Sequence, residues 1–254
     1  MIIPFEVQCM KDEGALFIVN HSGGKDSQAM TAKLADWLGD YPHVQVVHAS
    51  LGEMEWEGTI EHIHATIPKG WPFHVVQARK TLLEMVDRRH AARPGAPCWP
   101  SPKHRQCTSD LKRDPIARYV RSLKWTKTPI IHCMGLRAEE SPARSKQPTF
   151  SQVMRESRSG RSVWRWLPVH ELSTEKVFET IQAAGQLPHW AYSKGMRRCS
   201  CCFCIMSNTH DLQVAAKLNP ELYQAYLKRE QKTGYTMFHN QSLKDRVEGG
   251  IRVR

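Results

Sequence analysis

One short stretch decides the fold of this chain: Ser22-Gly23-Gly24-Lys25-Asp26-Ser27. It follows an apolar run, Ala15 to Asn20, that is typical of a buried strand, and it precedes a helical repeat of apolar residues that Gly39 ends. Glycines let a backbone approach an anion closely, and the first N–H groups of a helix point at that anion. The stretch therefore predicts a phosphate-binding loop, to which Lys25 adds a cation and the two serines add hydroxyl donors.

The spacing within this loop separates it from two common phosphate loops. A Walker A loop has four residues between its first glycine and its Gly-Lys-Ser/Thr, and a dinucleotide fold has a GxGxxG pattern. The loop matches neither pattern. It resembles the PP-loop of the ATP pyrophosphatases, which split ATP between the α and β phosphates, and residues 22–27 are called the PP-loop below. The alternative is an incidental Ser/Gly turn before a helix.

Length and hydropathy limit the class of protein. The 254 residues suffice for one large domain, or for one domain with an appendage. No apolar stretch approaches the roughly 20 residues that span a bilayer. Residues 1–14 lack the basic start and long apolar core of a secretory signal. We therefore expect a soluble cytoplasmic protein with no membrane partner.

The formal net charge of +11 is concentrated in two segments. Residues 103–127 carry eight cations against two anions, and residues 137–165 carry seven cations against three anions. A concentrated basic surface binds polyanions through salt-dependent phosphate contacts. These two segments therefore predict a nucleic-acid partner, either tRNA or DNA. The alternative is that the cations hold a small phosphorylated substrate.

Apolar runs alternate with helical patterns in the first part of the chain. Runs at residues 44–49, 73–76 and 129–136 predict three more strands, with helical repeats between them. Asp114-Pro115 predicts a helix N-cap followed by proline at the first helical position. The alternation predicts an α/β fold with a doubly wound, mostly parallel sheet, whose ligands bind beyond the carboxyl ends of the strands.

The composition changes after Arg137. Residues 138–163 are rich in Ser, Arg, Lys and Pro, which predicts a long, mobile basic loop over the substrate. Helical patterns return after this segment, and Asn219-Pro220 opens one of them. We therefore predict a nucleotide-binding α/β domain at 1–170, which includes the loop, and a C-terminal helical region at 171–254 packed on the same domain.

Several separated segments resemble the phosphoadenosine phosphosulfate (PAPS) reductase family, a branch of the PP-loop superfamily. The first, besides the PP-loop, is Gln106 to Lys112, which has the Cys-Thr and Leu-Lys pattern of the family. The second is Gly135 to Arg144, which begins with Gly-x-Arg-x-x-Glu-Ser. Two further segments are Trp166 to Val177 and Tyr192 to Cys204. Leu172 stands where the family usually has tryptophan. The resemblance implies an adenine nucleotide alpha hydrolase-like fold with a C-terminal helical, cysteine-bearing extension.

The resemblance also implies roles for charged residues. The PP-loop would cradle the phosphates of ATP, Lys25 would neutralise them, and Asp26 would accept a hydrogen bond or hold Mg²⁺ against the departing pyrophosphate. Asp26 as a partner of the helix dipole is the alternative. Arg137 and Arg144 would clamp phosphate or sulfate bidentately, which a planar guanidinium does well. Lys25, Asp26 and Arg137 are the predicted catalytic residues.

Four of the eight cysteines fall within six residues: Cys199, Cys201, Cys202 and Cys204. They form two overlapping Cys-x-x-Cys registers, which in a cytoplasmic chain favour a metal or redox site over a disulfide framework. The family pattern favours Cys201 and Cys204 as ligands, with Cys107 as the third. A fourth ligand, from Cys199, Cys202 or Cys98, would close the site.

The metal that these thiolates suit is predicted to be iron in a [4Fe–4S] cluster, with Zn²⁺ and unmetallated thiols as alternatives. Three cysteines on such a cluster leave one iron open, and an open iron can bind an extra sulfide. Some PP-loop enzymes that thiolate nucleic acids have this arrangement.

Two departures from the family pattern bear on the reaction. A thioredoxin-dependent PAPS reductase is expected to carry its catalytic cysteine in a C-terminal Cys-Gly-Leu-His element, whereas the last cysteine here is Cys204. Assimilatory reductases with a cluster carry a Cys-Cys pair upstream of Cys-x-x-Cys, whereas Cys201-Cys202 lies inside it. We therefore favour an enzyme that binds ATP, releases pyrophosphate and adenylates a substrate for sulfur insertion into a nucleic acid.

Two other functions stay open. One is a sulfonucleotide (PAPS or APS) reductase that releases sulfite, and the other is a non-catalytic nucleic-acid-binding protein on a PP-loop scaffold. The expected partners are the nucleotide, a nucleic acid, and a protein that donates sulfur or electrons. A homodimer is one assembly considered.

Overall fold

The computed structural model describes residues 1–158 and 160–249. Within this part of the chain, no helix is long and apolar enough to cross a membrane. The chain forms two compact units. The sheet unit comprises Met1–His48, Gly58–Val76 and Ile116–His189, and the cysteine unit comprises Ala49–Glu57, Gln77–Pro115 and the described residues from Trp190 onward. Each unit thus draws on three stretches of sequence, whereas the division drawn from the sequence has one boundary, at residue 170.

Six strands form one sheet: β1 (Leu16–Asn20), β2 (Val44–Ser50), β3 (Phe73–Gln77), β4 (Ile130–Met134), β5 (Phe150–Gln152) and β6 (Val163–Trp166). Their order in the sheet is β3-β2-β1-β4-β6-β5. Strand β1 is parallel to β2 and β4, and β4 is parallel to β6, while β5 is antiparallel to β6. The predicted α/β class with a mostly parallel sheet is confirmed.

Eleven helices are described: α1 (Phe5–Asp12), α2 (Lys25–Leu38), α3 (Thr59–Thr66), α4 (Leu82–Ala92), α5 (Gln106–Thr108), α6 (Asp114–Ser122), α7 (Pro142–Ser145), α8 (Thr174–Ala183), α9 (Thr209–Leu218), α10 (Pro220–Thr233) and α11 (Leu243–Glu248). Capping side chains, proline and glycine determine where several of these helices begin or end. Thr81 and Glu84 form a capping box that begins α4. Pro220 begins α10, and Gly234 ends it in a left-handed conformation.

Alternate residues of the strands build two apolar layers in the sheet unit. Phe17 of β1 packs with Met30 of α2 on one face. Ile18 of β1 packs with Val120 of α6 on the other face. Because successive side chains of a strand point to opposite faces, a strand covered by helices on both sides must be apolar throughout. This accounts for the continuous apolar run of β1.

The carboxyl ends of β1 and β4 form the point where the strand order reverses. The chain runs from β1 to β2 on one side, and β4 lies against β1 on the other side, with Asn20 opposite Met134 at the end of the ladder. Ligands of open α/β sheets bind in the crevice at such a switch point. The PP-loop leaves β1 there, and Gly135 to Arg137 leave β4 there.

The helix predicted to begin at Asp114-Pro115 begins earlier. Helix α5, a π-helical segment at Ser109–Arg113 and α6 follow one another without a break, and Asp114 has helical dihedral angles of −68° and −38°. The N-cap prediction is therefore wrong. A proline inside an α-helix clashes with the carbonyl of residue i−4, here Leu111, and the wider π turn at Leu111 relieves this clash.

The segment predicted as a long loop at 138–163 contains regular structure. It holds a short 3₁₀ turn at Ala138–Glu140, then α7, and then β5, which pairs with β6 as the edge strand of the sheet. The expectation of an irregular segment is therefore wrong for these residues. Their polar composition fits an edge strand, because one side of such a strand faces water.

The cysteine unit has its own apolar core. Helices α4, α9, α10 and α11 contribute to it, and its largest fully buried side chains include Trp56, Phe203 and Tyr226. Tyr226 stacks on Trp99 with ring centroids 5.7 Å apart, and Phe203 lies 5.1 Å from Tyr226. Large aromatic rings therefore build the interior that surrounds the cysteine segment.

Candidate functional site

The PP-loop turns directly from β1 into α2. Gly23 has a φ of +77°, a left-handed conformation that glycine adopts without strain, and Gly24 is the N-cap of α2. A Cβ atom on Gly23 would also lie 2.7 Å from the Cγ2 atom of Thr59. Both facts require glycine at position 23.

Hydrogen bonds within the loop hold its shape. The Ser22 N–H donates to the Ser27 Oγ atom at 3.1 Å, and the Ser27 hydroxyl donates to the Gly24 carbonyl at 2.8 Å. The Gly23 N–H donates to the Nδ1 atom of His21 at 3.1 Å. The two serines predicted as phosphate donors therefore bond the loop itself. The N–H groups of the first turn of α2, which have no acceptor inside the helix, are the donors suited to an anion.

Strand β4 approaches this loop through Gly135. A Cβ atom at position 135 would lie 2.8 Å from the backbone nitrogen of Ser27 and 2.9 Å from the carbonyl group of Asp26. Only a residue without a side chain allows the first turn of α2 to lie this close to the end of β4. The sequence pattern Gly-x-Arg thus has a steric reason at its first position.

Lys25 and Asp26 form a buried ion pair at the start of α2. Lys25 is 5% exposed, and its Nζ atom lies 3.3 Å from the Oδ2 atom of Asp26. The other carboxylate oxygen of Asp26, Oδ1, accepts a hydrogen bond of 2.6 Å from the Nε atom of Arg137. The carboxylate is thus held between two cations from different elements.

The guanidinium of Arg137 is committed to protein groups. Its Nη1 atom donates to Glu139 at 2.6 Å and to the Leu172 carbonyl at 2.9 Å, and its Nη2 atom donates to Thr174 at 3.1 Å. Burial alone would lower the pKa of Arg137, but Asp26 and Glu139 raise it above its ordinary value. Arg137 therefore holds carboxylates in this structure, where the sequence predicted a phosphate clamp.

Arg144 lies in the same segment and forms an ion pair with Glu140. The same carboxylate accepts the backbone N–H of Arg137 at 3.0 Å. Arg144 thus binds an acid close to it in sequence, whereas Arg137 binds the nearby Glu139 and also the distant Asp26. The structure brings Lys25, Asp26 and Arg137 together and pairs Arg144 with Glu140.

Sequence analysis missed a group of histidines beside the PP-loop. His21, His48 and His189 are buried, and the rings of His62 and His189 lie 5.0 Å apart. Burial, together with His48 and His62, lowers the pKa of His21 to about 3, so its ring is neutral. Burial and His62 lower the pKa of His189 to about 4. The one signal in the sequence is His21 itself, which directly precedes the loop.

The cysteine segment resolves into two groups of thiols within the cysteine unit. The Cys201 thiol hydrogen-bonds Cys204, which lowers the pKa of Cys204 and raises that of Cys201. Burial, and then Cys204, raise the pKa of Cys107. Burial, and then Cys199, raise the pKa of Cys202 to about 12. These shifts indicate that the thiols of Cys107, Cys201 and Cys204, which are called the cysteine triad below, influence one another, as do those of Cys199 and Cys202.

The surroundings of the cysteine triad include an aromatic hydroxyl and two cations. Burial, and then the charges of nearby thiols, raise the pKa of Tyr226 well above its ordinary value, and the Tyr226 hydroxyl lies 3.2 Å from the Sδ atom of Met54. Lys112 and Arg198 lower the pKa of Cys204 by their positive charge. These cations stabilise the Cys204 thiolate, the form in which cysteine binds metals.

The thiols of the cysteine triad are suitable metal ligands in their chemistry, but their positions in this structure do not form a metal site. Soft thiolates suit iron–sulfur clusters and zinc. Within residues 1–158 and 160–249, however, no three His, Cys, Asp or Glu side chains are placed to hold a metal ion.

The basic segments differ in exposure. In the segment 103–127 the exposed cations are Lys103, Arg105, Arg113, Arg118, Arg121, Lys124 and Lys127, while Lys112 is half-buried. In the segment 137–165, Arg137 is buried, and Arg144, Arg161 and Arg165 are half-buried, which leaves Lys146, Arg155 and Arg158 exposed. The first segment therefore has more cations exposed to solvent than the second.

The chain is similar to a protein family, to a phage protein and to solved structures. A family model described as the phosphoadenosine phosphosulfate reductase domain matches residues 17–207. A protein of Escherichia phage 186, described as an uncharacterized 37.8 kDa protein in the gpa 5′ region, is 27% identical over 242 residues, which cover 79% of this chain and 70% of that protein.

Two solved structures illustrate the structural likeness. The PAPS reductase from Candida auris, in a phosphate complex, has 12% identity and a TM-score of 0.47, and the match covers 79% of this chain and 97% of that chain. The U34-tRNA thiolase NcsA from Methanococcus maripaludis, with its [4Fe–4S] cluster, has 12% identity and a TM-score of 0.46, and the match covers 96% and 78%.

Proposed function

The chain belongs to the phosphoadenosine phosphosulfate reductase domain family, and from this premise we propose that it binds ATP at the PP-loop, releases pyrophosphate and adenylates a substrate. We further propose that the adenylated atom is an oxygen of a nucleic-acid base, and that sulfur then replaces this oxygen, which leaves as part of AMP. The sheet unit then performs the nucleotide chemistry, and the cysteine unit supplies the sulfur chemistry.

The carboxylate of Asp26 is the observation that carries the choice of ATP. It lies in the first turn of α2, held by Lys25 and Arg137. Beside these two cations, a carboxylate adds an oxygen ligand for Mg²⁺, a cation that accompanies polyphosphates and binds carboxylate and phosphate oxygens together. Asp26 therefore supports a nucleoside triphosphate over a sulfonucleotide as the ligand.

The surrounding groups suit the departure of pyrophosphate. The N-terminal amides of α2 and the ammonium of Lys25 stabilise negative charge where it increases on the leaving group. Arg137 keeps Asp26 in place through the 2.6 Å hydrogen bond, so the metal-binding oxygens keep a defined direction. These groups are fixed before the ligand arrives, which lowers the cost of reorganisation.

The cysteine triad would hold a [4Fe–4S] cluster, with Zn²⁺ as the alternative metal. When bound by three cysteines, such a cluster supplies an iron with an open position for the sulfur to be transferred. Lys112 and Arg198 would offset the charge of the thiolates, and Tyr226 and its aromatic neighbours would keep water away from them.

The exposed cations of the segment 103–127 support a nucleic acid as the acceptor, because phosphate contacts by Lys and Arg give salt-dependent binding. The proposed partners are thus tRNA or DNA and a protein that donates sulfur. The proposal leaves the oligomeric state to be measured, with a homodimer as one assembly to look for.

Anaerobically purified protein tests the proposal through release of pyrophosphate from ATP, with and without tRNA or DNA. We expect release that depends on the nucleic acid, and its loss by more than a hundredfold in Lys25→Ala, because removing one charge-stabilising group from a transition state commonly costs about 10²–10³ in rate. Lys33→Ala, on the same helix, is the matched control and should keep full activity.

Three outcomes separate this proposal from the other functions. Release of sulfite from PAPS or APS without ATP would overturn it in favour of a reductase. Binding of nucleic acid without any nucleotide turnover would overturn it in favour of a non-catalytic binding protein. Equal loss of activity in Lys25→Ala and Lys33→Ala would remove the PP-loop lysine from the reaction.

A further inference from the structure

His21 lies between the end of β1 and the PP-loop, and its backbone is fixed on both sides. The His21 N–H donates to the Val47 carbonyl at 3.0 Å, which extends the ladder of β1 and β2 by one residue. The His21 carbonyl lies 2.9 Å from the Nδ1 atom of His48, within hydrogen-bond distance. The side chain is 2% exposed. The ring is therefore held in one position relative to the loop.

The ring of His21 is bonded to the loop through one nitrogen. Its Nδ1 atom accepts the Gly23 N–H at 3.1 Å and lies 3.5 Å from the Ser27 hydroxyl oxygen. An imidazole nitrogen that accepts a hydrogen bond carries no proton, so the proton of the neutral ring is on Nε2. The Nε2 atom is buried and has no hydrogen-bond partner among the described residues. Only Nδ1 therefore ties the ring to the loop.

This bond determines which backbone amides of the loop face an anion. Gly23, in its left-handed conformation, turns its N–H back toward His21, and the N–H of Ser22 is bonded to Ser27. An anion at the loop must therefore be bound by the amides from Gly24 onward, at the N-terminus of α2. If Gly23 lost its acceptor, its peptide plane would be free to rotate, and the next amide in the chain would rotate with it.

We propose that His21 is a positioning residue of the PP-loop, which fixes the Gly23 peptide so that the N-terminal amides of α2 converge on the phosphates of the nucleotide. The inference rests on the proposed function in one respect, that the ligand of the loop is a polyphosphate. A histidine that only filled space in the core would affect stability without affecting the direction of the amides.

Two isosteric substitutions separate these roles. In His21→Asn the Oδ1 atom takes the place of Nδ1 and can accept the Gly23 N–H. In His21→Gln the side-chain amide reaches the place of Nε2, and nothing stands at Nδ1. We expect His21→Asn to bind Mg²⁺ and inorganic pyrophosphate within about threefold of the unmodified protein. We expect His21→Gln to bind about tenfold more weakly, because one hydrogen bond and the order that it gives to the loop are lost.

Two measurements keep the test decisive: titration calorimetry with Mg²⁺ and pyrophosphate, and hydrogen exchange of the Gly23 amide by NMR in the ligand-free protein. Exchange at Gly23 should be about tenfold faster in His21→Gln than in His21→Asn. The exchange result does not depend on any ligand, so failure of the unmodified protein to bind pyrophosphate would contradict the proposed function and not this inference.

Two results would overturn the positioning role. Unchanged Gly23 exchange and unchanged affinity in His21→Gln would show that the hydrogen bond has no effect on the loop. Equal losses of affinity in both variants, in step with equal losses in thermal stability, would show that His21 only fills the core.

Discussion

Asp26 shows how one side chain acquires its role from residues far away in sequence. From the sequence alone, two roles are open for Asp26: a ligand of Mg²⁺ or a partner of the helix dipole. In the structure both of its oxygens have cationic partners, Lys25 and Arg137. A half-buried carboxylate benefits from such partners, because partial removal from water is costly unless charge and hydrogen bonds compensate. Arg137 thus orients Asp26 in this structure, and its roles as a phosphate clamp and a catalytic residue stay predictions.

The cysteine triad gives a second prediction for single residues. Cys201→Ser should remove most of the iron from anaerobically reconstituted protein, because Cys201 is one of the three proposed ligands and two thiolates hold a cluster poorly. Cys199→Ser should retain the iron, because Cys199 lies beside Cys202 instead. Iron and acid-labile sulfide per chain, with visible absorbance, measure both effects.

Cys9→Ser is the control for that experiment, since Cys9 lies on α1 in the sheet unit. Full iron content in Cys201→Ser would take Cys201 out of the ligand set. Loss of iron in Cys199→Ser would instead establish Cys199 as a fourth ligand and close the cluster.

Between elements, the contact of β4 with the start of α2 yields a steric prediction. Gly135→Ala places a methyl group 2.8 Å from the Ser27 nitrogen, so β4 and α2 must separate. We expect a loss of about 1–3 kcal/mol in the free energy of unfolding, as for other overpacked sites, and weaker binding of pyrophosphate. Urea unfolding and titration calorimetry measure the two effects.

Gly95→Ala is the matched control, because a Cβ atom at position 95 meets no atom within 4 Å. It should leave both quantities unchanged. If Gly135→Ala were as stable as Gly95→Ala and bound pyrophosphate equally well, the close approach of β4 to α2 would have no energetic importance.

The helical stretch from Gln106 to Ser122 shows where rules for single elements fail. Asp-Pro is a common helix start, yet here it lies inside a continuous helix, behind the π turn of Ser109–Arg113. The rule considers only neighbours in sequence, whereas the π turn accommodates Pro115 in a helix that already carries Cys107 and Lys112. The edge strand β5 was not predicted from the sequence, because a short strand that partly faces water has little apolar periodicity.

Across the sheet unit, buried histidines predict a stability that depends on pH. Burial lowers the pKa of His21 to about 3, of His132 to about 4 and of His189 to about 4. In the unfolded chain these groups bind protons near pH 6.5. The unfolded state therefore binds more protons between pH 6.5 and 4, and the free energy of unfolding must fall as the pH is lowered through this window.

The expected slope is about 1.4 kcal/mol per pH unit for each histidine. Urea unfolding at several pH values between 6.5 and 5, above the range in which most carboxylates titrate, measures it. His132→Gln should reduce the slope by about 1.4 kcal/mol per pH unit, the contribution of one histidine. A stability that is flat across this window, or a slope that His132→Gln leaves unchanged, would show that these rings are protonated in the folded protein.

Much of the sheet unit follows from local patterns. The PP-loop, the strands at Leu16–Asn20 and Ile130–Met134 and the mostly parallel sheet were predictable, because apolar periodicity and glycine turns act over a few residues. The commitment of Arg137 to Asp26 and the position of His21 were not predictable, since they depend on which side chains the fold brings within hydrogen-bond distance.

By itself, the sequence determined the class of fold, and it predicted the PP-loop at the end of β1 and the cysteines proposed as metal ligands. The tertiary structure decided how those parts are used: which thiols gather with Cys107, which carboxylate Arg137 holds, and which amides of the loop face outward. The reason is physical. Backbone conformation depends on neighbours along the chain, whereas ion pairs, buried hydrogen bonds and pKa values depend on neighbours in space.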